Sequence, residues 1–168
     1  MKKYLIISCL LFLVGCSNGL DTSQLIETQA DKDEFIKFYD APSVEIAVDA
    51  LPYEVNLPED LPFETEGFKS LGITDIGGKG QNPEAIFMAM GESEHNLYLT
   101  TTLANIEYPE SQPEKLTLDN GYMGFFQAPN HLDVVVKDVT YLYTLTMPGV
   151  QEEQVKLELL KLAEQLSD

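Results

Sequence analysis

Ser93 and His95, in the run Gly91-Glu92-Ser93-Glu94-His95, come nearest in this chain to the spacing of nucleophilic catalysis. A serine-hydrolase elbow needs a second glycine where His95 stands, and it joins a strand to a helix rather than two strands. A polar hairpin tip explains the same residues. The sequence therefore predicts no enzyme, because no acid, base and nucleophile set has supporting spacing.

Glu92, Glu94 and His95 also carry oxygen and imidazole groups that metal ions bind. His131 is 36 residues from His95, so it has neither helical nor hairpin spacing to it. The acids lack the glycine-containing pattern of a calcium loop. We expect no metal site and no cofactor, with weak, adventitious calcium binding as the alternative for so acidic a chain.

The run Gly77-Gly78-Lys79-Gly80 superficially suggests a phosphate-binding loop. Such a loop requires Ser or Thr after the lysine, where this chain has Gly80, and the glycine spacing from Gly72 is one residue off. A flexible turn between two strands is the better interpretation.

A group of aromatic residues and one methionine lies in the C-terminal half. Such residues usually form a core, but in a curved sheet they can also line a groove for an acyl chain or a partner strand. The candidate ligand or partner residues are Tyr122, Phe125, Phe126, Tyr141 and Tyr143, with Met123 beside them.

Cys16 follows Met1-Lys2-Lys3, an apolar stretch over residues 4–14, and Leu13-Val14-Gly15. This arrangement resembles the lipobox of bacterial lipoprotein signal peptides. The resemblance implies cleavage between Gly15 and Cys16, lipidation of the Cys16 thiol, and a mature chain anchored by acyl chains to the extracytoplasmic face of the cell membrane. The alternative is a retained transmembrane anchor, for which about 20 apolar residues would be needed.

The two cysteines fit this interpretation. Cys9 lies in the predicted signal peptide and Cys16 would be acylated, which leaves the mature chain without a free thiol. Disulfides, cysteine-bound metal and thiol catalysis are therefore not expected.

The charge balance excludes several partners. The chain has 28 acidic residues against 10 lysines and no arginine, and loss of Lys2 and Lys3 leaves 8 minus 28, or −20. Nucleic-acid binding requires a basic surface, so we expect no nucleic-acid partner. Attraction to anionic lipids is equally disfavoured, so acyl chains would hold the protein at the membrane.

The composition divides the chain into a signal peptide (residues 1–15), a lipidated tether (16–42) in which a short helix is one option, and a single domain (43–168). Apolar residues over 33–39 suggest that this part of the tether docks on the domain. Residues 43–50 favour a short helix with Ser43 as its N-cap, with a strand as the alternative. Three prolines, Pro52, Pro58 and Pro62, predict an extended segment over 51–63.

Two hairpins are predicted in the domain. One joins residues 85–90 to 97–104, and the other joins 116–119 to 122–126 through Asn120-Gly121, whose residues tolerate a type I′ turn. Residues 139–147 alternate as a strand covered on one face and are expected to pair with residues 134–136.

The chain closes with a predicted amphipathic helix over about residues 150–166. The expected fold is therefore α+β: an antiparallel meander covered on one face by the C-terminal helix.

Three runs stand out in the order of these elements: Pro52-Tyr53-Glu54-Val55-Asn56-Leu57-Pro58, Val135-Val136-Lys137-Asp138-Val139-Thr140-Tyr141, and Lys161-Leu162-Ala163-Glu164-Gln165-Leu166 in the terminal helix. With these runs, the order of elements resembles a bacterial family of domains of unknown function. That family occurs outside the membrane in small lipoproteins, at the ends of proteins similar to lipoprotein-sorting factors, and in anti-sigma-factor-like membrane proteins of spore-forming bacteria. The resemblance covers residues 43–168. Members often have a Trp before the Lys-Asp turn and a Gly within it, whereas this chain has Val136 and no tryptophan.

The resemblance implies a non-catalytic sensing or docking role and offers no site residues to carry over. The expected function is that of a membrane-anchored extracytoplasmic lipoprotein, non-enzymatic, that docks on or senses a cell-envelope component, and an envelope protein is the expected partner. The C-terminal helix and the Asn120-Gly121 hairpin would frame the interaction surface. The alternative is a carrier of lipid or a small apolar ligand in a groove between sheet and helix.

Overall fold

The computed structural model describes residues 19–30, 35–104, 106–108 and 113–166, and its main element is an antiparallel β-sheet. In this part of the chain the sheet has nine strands: β1 (Ile26–Ala30), β2 (Ile36–Asp40), β3 (Thr65–Ile76), β4 (Pro83–Gly91), β5 (Asn96–Thr102), β6 (Glu114–Thr117), β7 (Met123–Gln127), β8 (His131–Val136) and β9 (Val139–Thr146). Two helices accompany it: α1 (Val44–Ala50) and α2 (Glu152–Glu164).

The strand order departs from a simple meander at one connection. Strands β1 to β5 are neighbours in sequence order, but β5 then pairs with β9, and β8, β7 and β6 follow toward the far edge. The chain therefore crosses from the middle of the sheet to its edge between β5 and β6, and returns strand by strand. The predicted meander is correct within each half and wrong at this crossing.

Both predicted hairpins are confirmed. Strands β4 and β5 pair antiparallel from Glu84 opposite Thr102 to Met90 opposite Asn96. Strands β6 and β7 flank Asn120-Gly121 as expected, but the turn is not type I′, because Gly121 has φ 89° whereas Asn120 has no positive φ. The Gly121 N–H instead donates to the Leu118 carbonyl at 2.9 Å, as in a three-residue hairpin loop with glycine in the left-handed position.

The helices form where the sequence predicts them. Ser43 caps α1, its hydroxyl accepting from the Ile46 N–H at 3.3 Å, and the helix ends before Pro52. In α2, Glu152 and Glu153 occupy the first turn, where the helix dipole favours negative charge. The buried side of α2 carries Val155, Leu159, Leu162 and Ala163. No helix within the described residues has the length and apolar character needed to cross a bilayer.

The core lies on one side of the sheet, here called the covered face. Helix α1 packs on β3, α2 packs on β8 and β9, and residues 51–64 run between them. The Tyr53 hydroxyl fastens that segment by donating to the Thr101 carbonyl at 2.9 Å, with the Pro83 carbonyl 3.1 Å away. Alternate side chains of each central strand point into this core and are almost fully buried: Phe87, Leu97, Leu99, Leu132, Val134, Tyr141, Tyr143 and Leu145.

The predicted fold class needs one correction. The antiparallel sheet and the C-terminal helix are confirmed, but helices of 7 and 13 residues against nine strands make the described chain predominantly β rather than α+β. Helix α2 also covers only part of a face, since it contacts β8 and β9 and leaves the β3 side of the sheet to α1.

Where the structure describes the predicted tether, part of it belongs to the sheet. Residues 26–30 and 36–40 are strands rather than a helix, and Ile36 of β2 pairs with Ile76 of β3. Strand β2, which contains apolar residues of this stretch, pairs with β3 because the edge of β3 would otherwise have unpaired backbone groups. The sheet thus extends to the N-terminal side of the predicted domain boundary at residue 43.

Candidate docking surface

The side of the sheet that faces away from both helices is here called the open face. Because side chains alternate along a strand, each central strand places every second residue on it. The registers of β4, β5 and β9 align four such residues from each strand. These twelve residues are Glu84, Ile86, Met88 and Met90 from β4, Asn96, Tyr98, Thr100 and Thr102 from β5, and Thr140, Leu142, Thr144 and Thr146 from β9.

On β4, β5 and β9 the open face is nearly free of charge in a chain that is strongly charged, and Lys69 of β3, opposite Met88, lies at its edge. The whole sequence is 23% charged residues with a net charge of −18, yet Glu84 is the one charged residue among these twelve. Met90 is 59% exposed and Tyr98 is 39% exposed. Seven of the twelve residues are polar, mostly threonines, and the other five are Ile86, Met88, Met90, Tyr98 and Leu142. Exposed sheet faces normally carry charged side chains as well, so the low charge is unusual for a surface that meets only water.

The register places the apolar side chains of the open face side by side. Met88 is opposite Tyr98, and Tyr98 is opposite Thr144 on the next strand. In the neighbouring row, Ile86 is opposite Thr100, which is opposite Leu142. With strands about 4.8 Å apart and about 3.4 Å per residue, the twelve positions cover an area of roughly 300 Å².

A buried carboxylate forms the margin of the open face on β8. Asp133 is 1% exposed, and one of its oxygens, Oδ1, lies 2.7 Å from His131 Nε2. His131 Nδ1 in turn lies 2.9 Å from the Thr144 hydroxyl. The other oxygen, Oδ2, accepts from the Tyr108 hydroxyl and from Gln127 Nε2 at 3.4 Å. We call Asp133, His131, Thr144 and Tyr108 the Asp133 cluster.

The Asp133 cluster holds the crossing segment between β5 and β6 onto the sheet. Besides bonding Asp133, Tyr108 stacks on Phe125 of β7, with ring centroids 4.7 Å apart. Nearer to β5, the Thr140 hydroxyl donates to the Ala104 carbonyl at 3.2 Å. Burial, followed by the hydrogen bond to Asp133 and the charge of that carboxylate, raises the pKa of Tyr108, so its hydroxyl stays a donor at neutral pH. Within the described residues, the crossing segment thus lies against β7, β8 and the start of β9.

The contacts of the Asp133 cluster link the Thr144 hydroxyl, the His131 imidazole and the Asp133 carboxylate, which is the order of groups in a hydrolase triad. Hydrolysis through such a set also requires free backbone N–H groups that stabilise an oxyanion. Thr144 lies mid-strand, opposite Tyr98 on one side and His131 on the other, so the surrounding N–H groups belong to the two ladders. The arrangement can bind and orient Tyr108, but it has no preorganised oxyanion site among the described residues.

No known family model, curated protein or solved structure matches this chain. The geometry of its surfaces therefore carries the functional argument.

The predicted aromatic residues are divided between the two faces of the sheet. Phe126, Tyr141 and Tyr143 are buried in the core of the covered face. Phe125 lies on the opposite side, under Tyr108, and Tyr122 is half-buried at the β6–β7 turn. The five residues therefore do not line one common groove.

The core fills the central part of the space between the sheet and α2, where the carrier hypothesis places its ligand. Tyr143 and Leu159 are fully buried between the sheet and α2. A cavity of about 250 Å³ does lie between residues 52–56 and the β8–β9 turn, with Tyr53, Lys137 and Tyr141 in its wall. Ligand pockets usually enclose about 300–1,000 Å³, so this cavity is too small to favour a lipid. A larger cavity of about 480 Å³ lies between β7 and the start of α2, but Glu114, Glu152, Glu153 and Lys156 line it, and so charged a wall does not suit an acyl chain.

The predicted interaction surface of hairpin and helix is brought together, but it is mainly polar. Asn120 Nδ2 donates to the Ala163 carbonyl at 3.0 Å and to the Leu166 carbonyl at 3.2 Å, which joins the hairpin to the end of α2. On the outer side of α2, Leu157 is an exposed apolar residue among charged neighbours. The contact serves as a helix C-terminal cap more than as a docking site.

The acidic loop between β4 and β5 contains Ser93, Glu94 and His95. Ser93 and Glu94 have φ 55° and 64°, and the imidazole of His95 stacks on Phe63 with centroids 5.9 Å apart. Within the described part of the chain, no three His, Cys, Asp or Glu side chains stand close enough together to hold a metal ion. Gly15 and Cys16, the predicted cleavage and lipidation residues, lie outside the described residues.

Neither the open face nor the Asp133 cluster is among the residues predicted from the sequence. The signal for the open face is in β4 and β5, where Ile86, Met88, Met90 and Tyr98 occupy the outward positions that usually carry polar residues. The Asp133 cluster has a weaker signal, because it depends on Tyr108, whose position against β8 follows from the crossing of the chain.

Proposed function

We propose that this chain is a lipid-anchored extracytoplasmic protein without enzymatic activity, and that it docks on another protein of the cell envelope through the open face. The observation that carries the proposal is a sheet face on which Glu84 is the one charged residue among twelve and on which Met90 and Tyr98 are exposed. The other parts of the proposal rest on the lipobox of Cys16 and on the charge of the whole chain.

The composition of the open face fits the centre of a protein interface. Interface centres are depleted in charged residues and enriched in Tyr and Met, and Tyr98, Met88 and Met90 lie together here. An area of roughly 300 Å² is smaller than the roughly 800 Å² that each partner buries in a standard interface. The strands on either side would therefore supply the rim, and the partner would present a flat, weakly charged surface.

The proposed anchor accounts for how so acidic a protein stays at a membrane. A chain with a net charge of −20 after processing gains nothing from anionic headgroups. Each buried methylene of an acyl chain contributes about 0.8 kcal/mol, so two or more chains on Cys16 would hold the protein stably.

The anchor is tested by replacing the lipidated cysteine. Cys16→Ala should move the protein from the membrane fraction to the soluble fraction and abolish incorporation of a labelled fatty acid, while Ser17→Ala should leave both unchanged. Unchanged membrane retention of the Cys16→Ala variant would refute the anchor.

The docking role is tested by native mass spectrometry of acylated protein purified from its own membranes under gentle solubilisation. We expect a stoichiometric protein adduct that falls at least about tenfold in the double variant Met90→Lys, Tyr98→Lys and persists in Leu157→Lys. A lipid-sized adduct that survives replacement of Cys16 would favour the carrier function, and a bare monomer would contradict stable docking.

A further inference from the structure

The first residues that the structure describes are fixed to the domain. The Leu20 N–H donates to the Gly80 carbonyl at 2.7 Å, and the Asp21 N–H donates to the Ala50 carbonyl at 2.8 Å. The approach at Gly19 is so close that a Cβ there would lie 3.1 Å from the Gly80 oxygen. Leu20 also packs against the core. The chain is thus attached to the β3–β4 turn before β1 begins.

This attachment limits how far a lipid on Cys16 can lie from the domain. Three peptide units separate Cys16 from Gly19, and a fully extended chain spans at most about 3.6 Å per residue. The Cα atom of Cys16 therefore lies within about 11 Å of that of Gly19.

The end of the sheet beside Gly19 is here called the anchor end, comprising Phe35, Ile76, Lys79 and the β8–β9 turn at Lys137. The Gly77 N–H donates to the Phe35 carbonyl at 2.7 Å, which joins the start of β2 to the β3–β4 turn. The β8–β9 turn lies at the same end, because Thr140 is opposite Thr102 and Thr102 is opposite Glu84.

We infer that the acylated protein stands with its anchor end directly against the bilayer, without a free tether. This inference rests on the lipid anchor of the proposed function and adds which surface meets the membrane. The strands then rise away from the bilayer.

The side chains at the anchor end suit a shallow contact with lipid. Phe35 is 58% exposed and Ile76 is 48% exposed, so both can enter the interfacial region. Lys79 and Lys137 are exposed and can reach phosphate groups. Exposed acids lie at the same end, namely Asp21, Asp49 and Asp138, and repulsion between them and anionic headgroups keeps the contact shallow.

The opposite end of the sheet carries the β4–β5 loop with Glu92 and Glu94. Eight peptide units separate Pro83 from Gly91 along β4, which at about 3.3 Å per residue is about 26 Å. Met90 and Tyr98 are near this far end. Their partner must therefore project beyond the headgroups.

A fluorescence experiment on the full acylated chain tests the orientation. The mature protein has no free thiol, so Lys79→Cys and Glu92→Cys can each be labelled at one site with an environment-sensitive fluorophore. Both proteins are bound to phosphatidylethanolamine and phosphatidylglycerol vesicles that contain a lipid with a nitroxide in its headgroup. We expect quenching at position 79 to be at least about three times that at position 92.

A second variant gives the matched control. Ten Gly and Ser residues inserted between Asn18 and Gly19 should leave flotation with vesicles intact and reduce quenching at position 79 to the level at position 92. Equal quenching at the two positions in vesicle-bound protein without the insertion would overturn the orientation alone. If the acylated protein failed to float, while Cys16→Ala behaved identically, the anchor itself would be refuted and the orientation with it.

Discussion

The covered face and the open face of the sheet alternate along the same strands, yet their side chains differ in kind. On β4, Phe87 is fully buried beneath the helices, whereas its neighbour Met88 points outward and is half-buried. On β5, Leu97 and Leu99 are fully buried, whereas Tyr98 between them is 39% exposed. The side chains of the covered face are almost fully buried, whereas the outward apolar side chains of β4 and β5 are half-buried or exposed.

The two faces therefore differ in role: the covered face stabilises the fold, and the open face is the proposed docking surface. Close packing under α1 and α2 accounts for the folded state, since removing buried apolar surface from water is the dominant favourable contribution to folding. The apolar residues of the open face contribute little to that packing. The proposed partner would cover them.

The largest expected change in stability is at Phe87 on the covered face, and its neighbour Met88 on the open face is the matched comparison. Phe87→Ala should lower the free energy of unfolding by about 3–5 kcal/mol, because it leaves a cavity in the core. Met88→Ala should lower it by no more than about 1 kcal/mol, because that side chain is partly exposed. Urea denaturation followed by circular dichroism measures both, and equal losses would break the distinction between the faces.

The next largest expected effect is a loss of stability at alkaline pH, caused by Tyr53 on the covered face. Burial raises the pKa of Tyr53 to about 12, from an ordinary value of 10.0. Because the folded state holds this proton more tightly than the unfolded state, the stabilisation is complete below pH 10 and is lost as the pH rises toward 12. A shift of this size corresponds to about 2–3 kcal/mol.

Denaturation series between pH 8 and pH 12 test this pH dependence. Tyr53→Phe should be less stable than wild type at pH 8, because it loses the hydrogen bonds to Pro83 and Thr101, but its stability should fall less steeply above pH 10. If the stability of Tyr53→Phe fell as steeply above pH 10 as that of the wild type, Tyr53 would be excluded as the cause of the alkaline destabilisation.

The Asp133 cluster gives a smaller effect on the open side of the sheet. Tyr108→Phe removes a hydrogen bond to a buried carboxylate and should lower the free energy of unfolding by about 2 kcal/mol. Amide exchange at residues 106–108 should accelerate at the same time, because the crossing segment loses its attachment. Tyr98→Phe is the matched control, and similar losses in both variants would argue against a specific role for the cluster.

The smallest expected change in stability distinguishes two tyrosines of the core, Tyr141 and Tyr143. The Tyr141 hydroxyl donates to the Glu54 carbonyl at 3.3 Å and accepts from the Asn56 N–H at 3.2 Å, whereas that of Tyr143 finds no partner among the described residues. Tyr141→Phe should therefore lower stability by about 1 kcal/mol, and Tyr143→Phe should leave it unchanged or raise it by up to about 1 kcal/mol. Thermal unfolding of the two variants decides, and a loss in Tyr143→Phe equal to that in Tyr141→Phe would contradict the assignment.

The sequence predicts local elements well because their causes are local. Ser43 predicts its helix by capping it, and the spacing of Val155, Leu159 and Leu162 predicts the buried side of α2. The pairing of β5 with β9 depends on a connection that crosses the sheet, and no local pattern encodes it. The division of Phe125 and Phe126 between opposite faces follows from strand alternation, but choosing which face lies under the helices requires the whole sheet.

Site-specific photo-crosslinking in native membranes tests the central claim most directly. A photoreactive phenylalanine analogue replaces Tyr98 on the open face in one variant and Leu157 on the outer side of α2 in another. We expect one discrete protein adduct from position 98, and none from position 157. Equal labelling from both positions, or an adduct from position 157 alone, would contradict docking through the open face.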